Sequence, residues 1–159
     1  MGDITQIVYS GSAVMPVDLP RRWFYPAGFG TLGCALPGAI GAKLAQPDVP
    51  VVAVVGDGGF MYTVQELMTA VEHQLPLPVI IWNNDCLAMI RDGMDDNSIP
   101  RIAINPLAPD FHQLALAFGC QSVAPGSRAE LADCVGRALV NPGPTLIVVN
   151  EDSDWLVAE

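Results

Sequence analysis

Two oxygen-bearing side chains stand where metal chemistry could happen. Asp57 lies in VVAVVGDGGFMYTVQELMTA (51–70), between glycines, after five apolar residues and before a helical pattern. Asn84 lies in VIIWNND (79–85), again at the end of an apolar run. In open α/β sheets, ligands bind outside the carboxyl ends of the strands. Strands that follow each other in sequence tend to be neighbours in space. Asp57 and Asn84 are then two oxygen donors on one rim of a sheet. Mg²⁺ takes hard oxygen ligands in an octahedron, typically one or two carboxylates with phosphate oxygens. Gly58 and Gly59 leave backbone N–H groups free to meet an anion at a helix start. A plain β–turn–α connection uses the same residues, and Asn83 and Asn84 also suit a simple strand end.

A second glycine motif, GFGTLG (28–33), matches G-x-G-x-x-G letter for letter. A dinucleotide reading, with NAD as cofactor of an oxidoreductase, needs a strand immediately before it. The preceding RRWFYPA is poor strand material. A tight turn into a helix, or a close backbone approach to some other ligand, reads better.

The elements that must position these residues alternate between strand and helix. Candidate strands are 4–9, 51–55, 79–83, 145–150 and a weaker 121–124. They are apolar on both faces, as in a parallel sheet covered on both sides. Thr63 with Glu66 and Ser127 with Glu130 spell capping boxes. Val64, Leu67, Met68, Val71 and Leu75 then share one helical face. Asp110 is a candidate cap for a helix carrying Phe111, Leu114 and Phe118. Residues 32–45 form a Gly- and Ala-rich helix suited to close packing. The expectation is an α/β fold, a three-layer α/β/α domain with a mostly parallel sheet, occupying 1–159 as one domain.

Composition narrows the function classes. The 159 residues carry a net charge of −10, 51% hydrophobic and 15% charged residues, and a mean hydropathy of +0.37. The charge argues against nucleic acid as a partner. The hydropathy argues against disorder and for some apolar surface meant for a partner. No apolar run reaches the ~18 residues of a membrane span, and MGDITQ carries no secretory signal. Cys34, Cys86, Cys120 and Cys134 form no CxxC pair, which fits reduced thiols in a cytoplasmic protein. The sequence shows no repeat, low-complexity tract or long linker. DGMDDNS (92–98) lacks the order of an EF-hand and reads as a mobile loop. His73, His112, Arg21, Arg22 and Arg91 read as solvated groups, and Trp23, Trp82 and Trp155 as core or interface.

GDG followed by NN, with Asp57 and Asn84 27 positions apart, resembles the signature of thiamine diphosphate (ThDP)-dependent enzymes. The text from Gly28 to Ile90 is similar to the C-terminal pyrophosphate-binding domain of acetolactate synthase-like and 2-oxo acid decarboxylase-like members. The resemblance implies Mg²⁺ ligands at Asp57, at the Asn84 side-chain oxygen and at the Cys86 main-chain carbonyl. It implies diphosphate contacts from the Gly56–Gly59 turn, through the N–H groups of Gly58 and Gly59. Leu32 would prop the cofactor into a bent shape, and the Gly30 carbonyl would meet its aminopyrimidine. Leu87 and Met89 would line the pocket mouth. The implied chemistry is addition to the keto carbon of a 2-oxo acid, followed by loss of CO₂ or carboligation. No catalytic residue is expected in this chain. The activating glutamate of such enzymes sits on a pyrimidine-binding domain, which these residues do not contain, and neither Glu66 nor Glu72 can replace it. The resemblance therefore implies a homo- or hetero-oligomer with that domain or subunit as a partner, and no turnover by the chain alone. The abrupt start at Met1-Gly2-Asp3 favours a piece of a longer enzyme over a subunit of a split one. A non-catalytic binding or regulatory subunit is the alternative from another class.

Overall fold

The computed structural model describes residues 1–157. Four strands form one sheet: β1 (Ala53–Gly56), β2 (Leu77–Asn83), β3 (Gln121–Val123) and β4 (Pro144–Asn150). Their spatial order is β1-β2-β4-β3, and every pairing is parallel. The helices are α1 (Gln6–Val14), α2 (Ala35–Ala45), α3 (Asp57–Met61), α4 (Leu67–Glu72), α5 (Ala88–Asp96), α6 (Phe111–Phe118), α7 (Arg128–Ala138) and α8 (Asp154–Val157). A 3₁₀ turn, Val64–Glu66, precedes α4.

The period-2 alternation of strands divides the core. Leu77, Val79 and Ile81 of β2 and Leu146 and Val148 of β4 pack with α2, α4 and α6 on one face. Ile80, Trp82, Ile147 and Val149 pack with α7 and α8 on the other. Because both faces are covered, the central strands are apolar throughout, as the sequence pattern requires. The larger core includes Phe60 edge-on to Phe111, with ring centroids 5.8 Å apart. The fold is the expected three-layer α/β/α arrangement.

Two caps match their sequence signals. Asp110 Oδ1 accepts the N–H groups of His112 and Gln113 at 2.9 and 3.1 Å. Ser127 Oγ accepts the Glu130 N–H at 3.1 Å, and Glu130 Oε2 reaches back to the Gly126 N–H.

Five local expectations are overturned. The 4–9 segment is not a strand. Only Met1–Asp3 run beside β1, with a bridge at Gly2–Val54, and Gln6 then begins α1. The β-branched run is overridden by burial of Val8 and by the local Ser12 Oγ bond to the Val8 carbonyl, 2.7 Å. Thr63 does not cap: its hydroxyl donates to the Gly33 carbonyl at 2.8 Å, and a 3₁₀ turn replaces the first helical turn. Met68 is 42% exposed, so Leu67 and Ala70 are the buried face of α4. Residues 92–96 continue α5 rather than a loop, and Arg101 pairs with Asp95 just after it. The Gly- and Ala-rich helix itself begins only at Ala35.

Candidate functional site

β1 runs directly into α3, so Asp57 sits at the strand tip and opens the helix. The turn is tight enough that a Cβ on Gly56 would meet Thr5 Oγ1 at 2.7 Å, and one on Gly58 would meet Leu87 Cδ2 at 3.4 Å. Asp57 is only 6% exposed. Its Oδ2 accepts the Asp85 N–H at 2.9 Å, and no cation pairs with it among the described residues. Burial holds its carboxyl above the ordinary carboxylate range, against the opposing pull of the Gly58 and Asp85 N–H groups.

β2 is the parallel neighbour of β1, with Gly56 in register with Trp82. The tip beyond it is fixed by side chains. Asn83 Nδ2 donates to Asn150 Oδ1 on β4 at 3.0 Å. Asp85 takes the left-handed conformation, φ 51°, one that a short polar side chain tolerates. Asn84 Oδ1 accepts the Cys86 N–H at 3.2 Å. The segment after α5 ties down the same turn, as Leu87 N–H donates to the Ile104 carbonyl at 2.7 Å and Asn105 Nδ2 to the Asp85 carbonyl at 3.1 Å.

The two tips open on one cavity of about 220 Å³. Gly56, Asp57, Gly58, Gly59, Asn84, Cys86, Leu87 and Met89 line it, and so do Gly30 and Leu32 from the distant glycine loop. All the site positions expected from sequence thus line one cavity. No strand precedes GFGTLG; it sits among turns, so the setting a dinucleotide needs is missing. Among the described residues no group of three or more His, Cys, Asp or Glu could hold a metal ion by itself. One carboxylate and one amide oxygen suit a hard cation that brings phosphate oxygens with it.

Sequence reading missed the wall built by Ile4, Thr5, Gln6 and Tyr9. Gln6 and Tyr9 are three apart and so share a face of α1, a spacing that means nothing if the segment is read as a strand. Gln6 Oε1 is buried without a hydrogen-bond partner. Burial, with the Asp3 charge adding to it, raises the Tyr9 phenol above its usual value. Arg21 and Arg22 lie elsewhere, on a groove with Met1 and Trp23. Arg91 pairs with Asp92, and His112 meets Ser122 Oγ at 2.9 Å, outside the cavity. Cys34, Cys86, Cys120 and Cys134 are all free; burial pushes the thiols of Cys34 and Cys120 up to about 11.

The arrangement is a parallel α/β/α sheet with a glycine-flanked carboxylate at one strand tip and an asparagine at the next. Residues 3–149 match the model of the thiamine pyrophosphate enzyme C-terminal TPP-binding domain, and the chain belongs to that family. It is 44% identical over 146 residues to a probable 2-ketoarginine decarboxylase of Pseudomonas aeruginosa, covering 91% of this chain and 26% of that protein. It is 35% identical over 141 residues to the large subunit of acetolactate synthase isozyme 1 of Escherichia coli, covering 87% of this chain and 25% of that protein. The chain therefore spans about a quarter of the length of these relatives. A thiamine diphosphate-dependent 4-hydroxybenzoylformate decarboxylase of Rhodococcus jostii superposes with a TM-score of 0.74 at 32% identity, over 82% of this chain and 25% of that one. Benzoylformate decarboxylase of Polynucleobacter necessarius shares the fold, with a TM-score of 0.83 at 24% identity over 97% of this chain and 30% of that one.

Proposed function

We propose that this chain holds ThDP through Mg²⁺ for a decarboxylase or acetolactate synthase-like carboligase acting on a 2-oxo acid. The observation that carries the reading is the meeting of Asp57 and Asn84 on adjoining strand tips, in the cavity that Gly30 and Leu32 close from the other side. A buried carboxylate without a cation is costly, and a divalent ion relieves that cost. Asp57, Asn84 Oδ1 and the Cys86 carbonyl would hold Mg²⁺. The N–H groups of Gly58 and Gly59 would meet the diphosphate, as would the Gln6 amide. Leu32 would press on the cofactor between its two rings, and the Gly30 carbonyl would orient the aminopyrimidine. ThDP supplies the electron sink for loss of CO₂; the protein supplies position and electrostatics. Leu87 and Met89 would meet the substrate side of the cavity.

The activating carboxylate belongs, in this proposal, to a pyrimidine-binding domain or subunit. Cytoplasmic residence and assembly into an oligomer complete the proposal. Among the described residues no helix is long and apolar enough to cross a membrane.

Calorimetry tests the reading. ThDP should bind with Mg²⁺ and lose its affinity in chelator, and NADH should give no heat. Asp57→Ala should weaken ThDP binding by about a hundred-fold or more, since it removes a charged ligand. The chain alone should release no CO₂ from 2-oxo acids, and addition of a pyrimidine-binding partner should start release. Metal-independent ThDP binding would sink the assignment.

A further inference from the structure

One buried carboxylate takes no part in the site so far described. Asp3 is 0% exposed, and no cation pairs with it among the described residues. Its backbone is fastened to β1 by its N–H bond to the Val54 carbonyl, 2.9 Å. Its Oδ2 accepts the Gly33 N–H at 2.7 Å, and Oδ1 accepts the Cys34 N–H at 3.3 Å. It also lies against Gly59, where any Cβ would collide with Oδ2. The other end of the same residue is held too: the Gly33 carbonyl accepts Thr63 Oγ1 at 2.8 Å. Gly33 itself has φ +84°, and a Cβ there would meet Tyr62, Gly59 and Thr63 at 3.0 to 3.1 Å.

Gly33 is therefore bracketed by two side chains carried by segments next to Asp57. Asp3 rides on β1, and Thr63 follows α3. The two N–H groups are taken by the two separate carboxylate oxygens, so an amide with a single acceptor oxygen would leave one of them unpaired.

We infer that Asp3 and Thr63 are positioning residues that set the separation between the Gly30–Leu32 end of the cofactor cavity and its Asp57–Asn84 end. The inference rests on the ThDP reading above. It separates two halves of one ligand: inorganic pyrophosphate with Mg²⁺ samples only the Asp57 end, whereas ThDP must engage both ends at a fixed spacing. Misplacement of one end by a fraction of an ångström then costs ThDP affinity and leaves the other end intact.

The test is calorimetry with Mg²⁺-ThDP and with Mg²⁺-pyrophosphate on the wild-type chain, Asp3→Asn, Thr63→Val and Thr63→Ser. Asp3→Asn and Thr63→Val should lower ThDP affinity by about ten-fold or more while changing pyrophosphate affinity by less than about two-fold. Thr63→Ser, which keeps the hydroxyl, should bind ThDP as wild type does. Equal losses for both ligands, or no loss for either, would overturn the clamp. If Asp3→Asn does not fold, the Val and Ser variants of Thr63 decide alone. A wild-type chain that binds pyrophosphate but not ThDP would overturn the cofactor reading itself, and the clamp with it.

Discussion

The two glycine-rich turns of this domain reach the same cavity by opposite means. Gly56–Gly59 is placed locally: β1 feeds it, α3 leaves it, and Phe60 anchors it in the core at 0% exposure. Gly28–Gly33 has no strand before it, and Gly30 and Phe29 are exposed. Its position depends on Asp3 and Thr63, 30 residues away on either side. A turn between regular elements inherits their rigidity. A turn among loops must borrow rigidity through specific hydrogen bonds. The letter match to a dinucleotide motif belongs to the second kind, which is why letters without context misdirect.

Substitutions can break that contrast. The largest effect should come from Phe60→Ala, which leaves a cavity under the first turn and costs about 3–5 kcal/mol. Thermal denaturation should show a drop in Tm of about 6–20 °C, given about 2–4 °C per kcal/mol in a domain this size. A fall of only a degree or two would mean that the first turn is not held by the core.

Next in size is Gly33→Ala. It combines a left-handed φ with crowding by three neighbours and should cost about 1–3 kcal/mol. Gly30→Ala sharpens the point. Its φ is +71°, but nothing lies within 4 Å of the added Cβ, so conformation alone is charged, about 1 kcal/mol. Equal losses at the two glycines in urea denaturation would remove the argument that the second turn is clamped at Gly33.

The smallest effect concerns Asp57 and runs in the opposite direction. Burial raises its carboxyl above the ordinary value of 3.8 in the folded chain. The native state then holds the proton more tightly than the unfolded state. Ligand-free stability falls as pH rises from the ordinary value through the raised one, and the deficit persists at neutral pH. Asp57→Asn should remove this deficit and raise stability at neutral pH while abolishing metal-dependent ThDP binding, a stability–function exchange. Denaturation curves at several pH values should show the gap between variant and wild type opening across that window. Cofactor affinity in the wild type should weaken as pH falls into the same window, because the metal needs the ionised carboxylate. A variant no more stable than wild type at neutral pH would contradict the burial argument.

Much of the site was legible because its key residues sit where periodic elements end. The apolar runs before Asp57 and Asn84 predict buried strands, and parallel neighbours bring their tips together. The caps at Asp110 and Ser127 were equally readable, since each acceptor lies within three residues of its donors. The 4–9 segment failed for a physical reason. Ile4, Thr5, Ile7, Val8 and Tyr9 favour strand locally, and packing against the end of β1 overrides that preference. With the helix misread, Gln6 and Tyr9 could not be seen to share a face. Thr63 failed differently, because a capping pattern gives no sign that a hydroxyl has a better acceptor 30 residues back.

Sequence alone determined the parallel α/β scaffold, the strand tips and the pair of oxygen donors at them, because hydrophobic period and turn chemistry act over a few residues. Local sequence physics left Gly30 and Leu32 unplaced, and only the resemblance set them beside those donors; tertiary structure alone decided that α1 supplies a wall and that Asp3 is buried against Gly33. Those outcomes rest on contacts between distant segments, where single hydrogen bonds and the absence of one Cβ choose among placements that local propensity leaves equal.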